Sequence, residues 1–156
     1  MQEPQQNFNI EDYSILAWVV KNQIKSEKGE VLDFHDRLFL LDILTDWSQE
    51  IAWKKCSQVG GSIIFNIKVF FALLKMGWNI IYTMPSDSDV ESFVKAKTNP
   101  LIRANQHVLG KLNSDAIYLK EVGDRFLHMA GSQMGPGSTC PRNRLSSRLW
   151  RILARA

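Results

Sequence analysis

Two glycines and a serine, Gly60-Gly61-Ser62, stand directly ahead of a run, Ile63 to Met76, that is apolar on nearly every side. A helix lying on a protein surface alternates polar and apolar residues at its 3.6-residue period, so one that lacks the alternation has to be enclosed by other elements. The chain must therefore fold around this segment. From Ser62 to Gly77 it would extend about 24 Å at 1.5 Å per residue, and Gly77 supplies a C-terminal stop. Trp78-Asn79-Ile80-Ile81-Tyr82-Thr83-Met84 follows, β-branched and aromatic and ended by Pro85, which reads as a strand.

The elements on either side give a fold class. Glu50 to Lys54 alternates Ile51 and Trp53 with polar neighbours and reads as a short strand before the glycines. A strand, a crossover helix and a second strand make a βαβ unit. The expected fold is thus α/β with a partly parallel sheet, and the glycine loop lies at its C-terminal edge, where ligands bind in open α/β folds. Ser86 or Asp87 can cap a following helix that carries Val90, Phe93 and Val94 inward and breaks near Asn99-Pro100. Ala116 to Glu121 and Arg125 to Ala130 flank Val122-Gly123-Asp124 and read as an antiparallel hairpin. Two amphipathic helices precede all of this. Ile10 to Ile24 has Ile10, Tyr13, Ala17, Val20 and Ile24 near one stripe, with Glu11 and Asp12 in its first turn. Phe34 to Trp47 turns Leu38, Leu41, Ile43 and Leu44 inward. The start of the second helix, Leu32-Asp33-Phe34-His35, is either a packing surface or a flat apolar contact for an adenine ring.

Charge is unevenly spread. The 156 residues carry a formal net charge of +3, yet six arginines, no lysine and no acid lie from Arg125 onward, leaving 13 basic and 16 acidic residues before them. After Gly131 comes a run of breakers, Gln133 to Pro141, and then arginine-rich sequence. The change from lysine to arginine usage fits two origins: translation in a different reading frame after Ser132, or a natural basic tail for an acidic partner. Three segments are expected: a helical extension over 1–31, an α/β domain over 32–131 and a basic tail without regular structure over 132–156. Cys56 and Cys140 are the two cysteines, and nothing resembles a signal peptide, so a reducing cytoplasm is expected. Asn66, Lys68, Lys75, Gly77 and Asn79 interrupt the apolar region from Ile63 to Met84 well short of a membrane span, so no membrane partner is expected. His35, His107 and His128 are scattered and no metal-ligand spacing occurs.

The loop has its own chemistry. A standard phosphate-binding loop reads G-x-x-x-x-G-K-[ST], with the lysine on the β- and γ-phosphates and the hydroxyl on Mg²⁺. Aligned on Gly60 and Ser62, Gly61 takes the lysine's place and Lys55 that of the first glycine. A loop wrapped around phosphates brings its two ends near one anion, so Lys55 could supply the charge from the front, with Lys54 as the alternative cation. Gly60 and Gly61 would admit the backbone closely and Ser62 would hold the metal. A tight turn with no ligand uses the same residues, and from the pattern both readings stand.

Lys55-Cys56-Ser57-Gln58-Val59-Gly60-Gly61-Ser62, then Asn79 to Ser86, then Phe93-Val94 and Asn99-Pro100-Leu101-Ile102-Arg103, together resemble the N-terminal half of the ATPase domain of tailed-phage terminase large subunits. Some members carry a deviant loop with its lysine at the start, as Lys55 is here. Over roughly Leu32 to Gly131, the resemblance implies a RecA-like P-loop fold of three layers, ATP and Mg²⁺ as ligands, and a motor that packages viral DNA in a bacterial host cell. The nucleotide would contact Lys55, Cys56, Ser57, Gln58, Val59, Gly60, Gly61 and Ser62, with Ser62 on Mg²⁺. DNA, the terminase small subunit and the portal are the implied partners of the full-length motor. The family's next motif is an apolar strand ending in Asp-Glu, and no such pair follows the hairpin. The family's nuclease domain is likewise expected to be absent. An N-terminal fragment that binds nucleotide better than it hydrolyses it is therefore expected. Two further readings remain: a non-catalytic protein that binds nucleic acid through its arginines, and a helicase-like P-loop protein from outside phages.

Overall fold

The computed structural model describes residues 14–48, 51–54, 58–112 and 116–131, and residues 149–153 as backbone. Helix α3, Gly61–Phe71, is its central element and passes through a π-helical turn, Ala72–Met76, to Gly77 at φ 71°. Ile64, Ile67, Val69, Phe70, Phe71, Ala72 and Leu73 are all buried, which places core contacts around most of the helix, as its lack of alternation requires.

Strand β1, Asn79–Met84, follows at once. Ser86 caps α4, Asp87–Phe93, accepting from the Asp89 N–H at 3.2 Å, and Val90 and Val94 are buried as expected. The break expected at Asn99-Pro100 is absent. A second π turn, Val94–Thr98, leads directly into α5, Asn99–Ala104, and Pro100 lies in the first turn of α5, where a missing N–H costs little. After α6, Gln106–Leu109, the hairpin forms as expected: β2, Leu119–Val122, and β3, Arg125–Gly131, pair antiparallel around Gly123 at φ 61°.

The fold is mixed α/β with a mixed sheet in the order β2-β3-β1-β4, where β4 is Leu149–Leu153. β1 runs parallel to β3, Ile80 opposite Leu127 and Met84 opposite Gly131. Asn79 fixes the start of that register, its side-chain oxygen accepting the Phe126 N–H at 3.0 Å. The strand β4, Leu149–Leu153, lies parallel on the other side of β1. It falls in the tail expected to lack regular structure. Four of the five residues in Leu149-Trp150-Arg151-Ile152-Leu153 are apolar, and Trp150 and Ile152 suit a strand.

The expected strand before the glycines does not form among the described residues: 51–54 have no regular structure. The alternation there has another cause. Trp53 packs on Phe65 of α3, ring centroids 6.0 Å apart, so its apolar side answers to a helix and not to a sheet. The crossover that makes β1 and β3 parallel runs instead through α4, α5, α6 and β2.

Upstream, α1 covers Ile15–Lys21 with Ser14 as its cap, and its inward face is Ile15, Trp18 and Val19. Val20, expected inward, is 71% exposed. Ile24 still reaches the core, but from beyond the helix, after a turn at Gln23 with φ 47°. Ile10, Glu11, Asp12 and Tyr13 lie outside the described residues. Helix α2 is Phe39–Thr45, shorter than expected, with Leu40 and Leu44 buried and Leu38 turned outward. Asp33 accepts the His35 N–H at 2.8 Å and holds the preceding residues in a turn. The side chains of α1, α2 and α3 share one core with those of the sheet. Asn105 ties the Lys25 turn to that body, accepting the Lys25 N–H at 2.7 Å and donating to the Lys25 and Leu101 carbonyls at 2.8 Å.

Candidate functional site

The loop reaches α3 through two left-handed residues, Gln58 at φ 63° and Gly60 at φ 88°. Only glycine takes such a φ without steric cost, so Gly60 is where the chain reverses into the helix. The Gly60 carbonyl accepts the Ile64 N–H at 3.2 Å, the first bond of the helix. No side chain caps this end. The N–H groups of Gly61, Ser62 and Ile63 belong to the first turn, which has no acceptors within the helix, and the dipole of α3 adds partial positive charge there.

Of the predicted contact residues, Gln58, Val59, Gly60, Gly61 and Ser62 are brought together here. Gly61 is buried as the first helical residue, and Ser62 is half-buried beside it. Lys55, Cys56 and Ser57 lie outside the described residues. Lys54, the alternative cation, is exposed. Leu32 and Phe34 are half-buried, while Asp33 and His35 are exposed.

One cation near the loop was missed from sequence. A Cβ placed on Gly60 would lie 3.5 Å from Nη1 of Arg37 and 3.4 Å from Cδ1 of Leu40, so the Arg37 guanidinium stands over the glycine that opens α3. No local pattern marks Arg37. It arrives because Leu40 of α2 packs into the core beside α3, which carries the residues just before α2 to the loop.

Carboxylates at the C-terminal ends of β1 and β3 are already engaged. Asp87 Oδ1 accepts the Gly131 N–H at 2.9 Å, and Asp89 Oδ2 accepts the Ser86 hydroxyl at 2.6 Å. Among the described residues no group of three or more His, Cys, Asp or Glu side chains could hold a metal ion. A magnesium ion at Ser62 would thus take most of its oxygen ligands from phosphates and water, which suits that ion. Among the described residues no helix is long and apolar enough to cross a membrane.

The chain matches no protein-family model, no curated protein and no solved structure.

Proposed function

We propose that the segment from Lys55 to Ser62 is a nucleotide-binding loop that takes ATP with Mg²⁺, in a RecA-like P-loop domain of the kind found in terminase large subunits, where it would serve a DNA-packaging motor. The observation that carries the proposal is Gly60 at φ 88°, which delivers an uncapped loop into an 11-residue buried helix with Gly61 and Ser62 in its first turn. Backbone N–H groups and the helix dipole then converge on one point, as phosphate binding requires. Lys55 supplies charge from the front of the loop, and Ser62 orients the metal. Hydrolysis would be weak, since phosphoryl transfer needs a carboxylate to position water and metal, and no Asp-Glu pair follows the hairpin.

Calorimetry with ATP and Mg²⁺ tests the proposal. Lys55→Ala is expected to lower affinity at least tenfold while leaving the melting temperature unchanged. Equal affinity in the variant and the parent would remove the loop from the binding site.

A further inference from the structure

β3 is paired on both sides, and its side chains alternate between the two faces of the sheet. Leu127 and Met129 turn into the core that α1, α2 and α3 share with the sheet, so Phe126, His128 and Ala130 take the opposite face. His128 stands opposite Leu119 of β2 and Ile81 of β1. The Met129 N–H bonds the Tyr118 carbonyl at 2.8 Å, which makes the next pair, Leu119 and His128, one without mutual hydrogen bonds, the kind in which an antiparallel ladder brings two side chains closest. The positions on either side of the imidazole are thus apolar. Its Nδ1 is buried and, among the described residues, has no hydrogen-bond partner. A neutral ring can leave Nδ1 bare and carry its one N–H at Nε2, whereas a protonated ring must hold a proton on Nδ1, where nothing accepts it. Burial accordingly lowers His128 from 6.5.

We propose that His128 is a proton-operated clasp of the β2–β3 hairpin: the neutral ring lets β2 close on β3, and protonation in mild acid releases β2. The clasp is independent of the nucleotide-binding reading. β2 is the strand that yields because it lies at the edge of the sheet, whereas β1 is paired with β3 on one side and β4 on the other. Opening on that side parts Leu119 from His128 and lets water accept the Nδ1 proton. On the His128 face β2 contributes one acid, Glu121, opposite Phe126, and β1 contributes Asn79, Ile81 and Thr83, which do not titrate. Arg151 holds the β4 position opposite Ile81. α4 packs on the other face, where Phe93 stacks on Tyr82, the partner of Met129, so Asp87, Asp89 and Glu91 belong to that side. Desolvation therefore sets the direction at His128. A histidine lowered in this way contributes stability that is complete above 6.5 and is lost as the pH falls through its folded value.

The test follows the histidine rings and the amide exchange of the full chain by NMR between about pH 8 and 5. The His128 ring, assigned through its backbone connectivity, is expected to titrate below 6.5. Over the same range the Lys120 and Leu127 amides, in the hydrogen-bonded pair beside it, should lose protection severalfold while those of β1 keep theirs. In His128→Phe, which has a flat ring and no proton to take up, the hairpin amides are expected to stay protected; His128→Gln serves the same purpose if the phenylalanine variant does not fold. Three results overturn the clasp: a His128 ring that titrates at 6.5 or above, hairpin protection that falls equally in the variant, or a loss spread evenly over β1 and the hairpin, which marks unfolding of the whole sheet. The ring titration and the comparison of β1 with the hairpin are both read in the parent chain, so they decide the matter even where neither variant folds.

Discussion

At the amino end of α3, Gly60 holds φ 88°, and a Cβ there would meet Leu40 and Arg37 at 3.4 and 3.5 Å, ordinary contact distances; at the far end Gly77 holds φ 71°, and a Cβ would stand 2.9 Å from the guanidinium carbon of Arg125. Both ends of the helix turn through a left-handed glycine, and the second is the more tightly covered. There the Trp78 N–H bonds the Ala72 carbonyl at 3.1 Å, Arg125 of β3 covers the turn, and Trp78 packs edge-on to Trp47. The carboxyl end is thus tied to the sheet and to the aromatic core. Among the described residues the amino end has neither a side-chain cap nor a strand leading into it. Both glycines are required by conformation, and at Gly77 the Arg125 guanidinium would in addition have to move aside for a Cβ.

The largest expected effect lies on the closed side. Phe71 is 1% exposed and meets Trp18 edge-on at 5.6 Å and Trp47 at 5.9 Å. Phe71→Ala is expected to cost about 3–5 kcal/mol in urea denaturation, the range for emptying a buried aromatic site. Ile63→Ala, in the half-buried first turn, should cost roughly 1–2 kcal/mol, because less apolar area is lost. Equal losses would mean that both ends are structural in the same degree.

Next in size is a pH dependence with two limbs. Lys68, held down at about 8 by burial, contributes stability that is present above pH 10.5 and lost as the pH falls through 8. Tyr82 lies in β1, stacked on Phe93 at 5.5 Å, and burial pushes it from 10.0 up to about 12. Its contribution is complete below pH 10 and is lost as the pH rises through 12. Unfolding free energy should therefore climb between about pH 8 and 10 and fall beyond it, each limb on the order of 2–3 kcal/mol. Denaturation at a series of pH values checks this, with Lys68→Met flattening the lower limb and Tyr82→Phe the upper.

What the sequence discloses follows from how local each cause is. The enclosed helix, its stop at Gly77, the strand after it, the Ser86 cap and the Gly123 hairpin are all written within a few neighbouring residues, and all are present. Ile51 and Trp53 mislead because period-two burial arises equally from a strand in a sheet and from an extended segment lying on a helix, and Phe65 decides between them from a distance. Pro100 misleads because its effect depends on helical position, which the π turn ahead of it resets. At the candidate site, the left-handed turn into α3 is legible in Gly60-Gly61. Arg37 is not, since its place is fixed by the packing of α2 on α3 and leaves no mark on its own neighbours.

The smallest stability effects separate the two glycines most directly. An alanine at either position must hold a left-handed φ, at roughly 1–2 kcal/mol each. Gly77→Ala must also displace the Arg125 guanidinium, which adds little because a long side chain can swing aside. Similar losses in melting temperature are expected, and Gly77→Asn should recover part of its loss because asparagine tolerates this conformation. Their effects on ligand should diverge. If Gly60 presents the first-turn N–H groups of α3 to a phosphate, Gly60→Ala lowers ATP affinity severalfold, whereas Gly77→Ala, acting at the other end of the helix, leaves it unchanged under conditions where both variants are folded. Calorimetry on the pair can turn out otherwise in two ways. Unchanged affinity in Gly60→Ala makes that glycine another structural stop like Gly77, and parallel losses in both variants assign the effect to the stability of α3 as a whole and not to its open end.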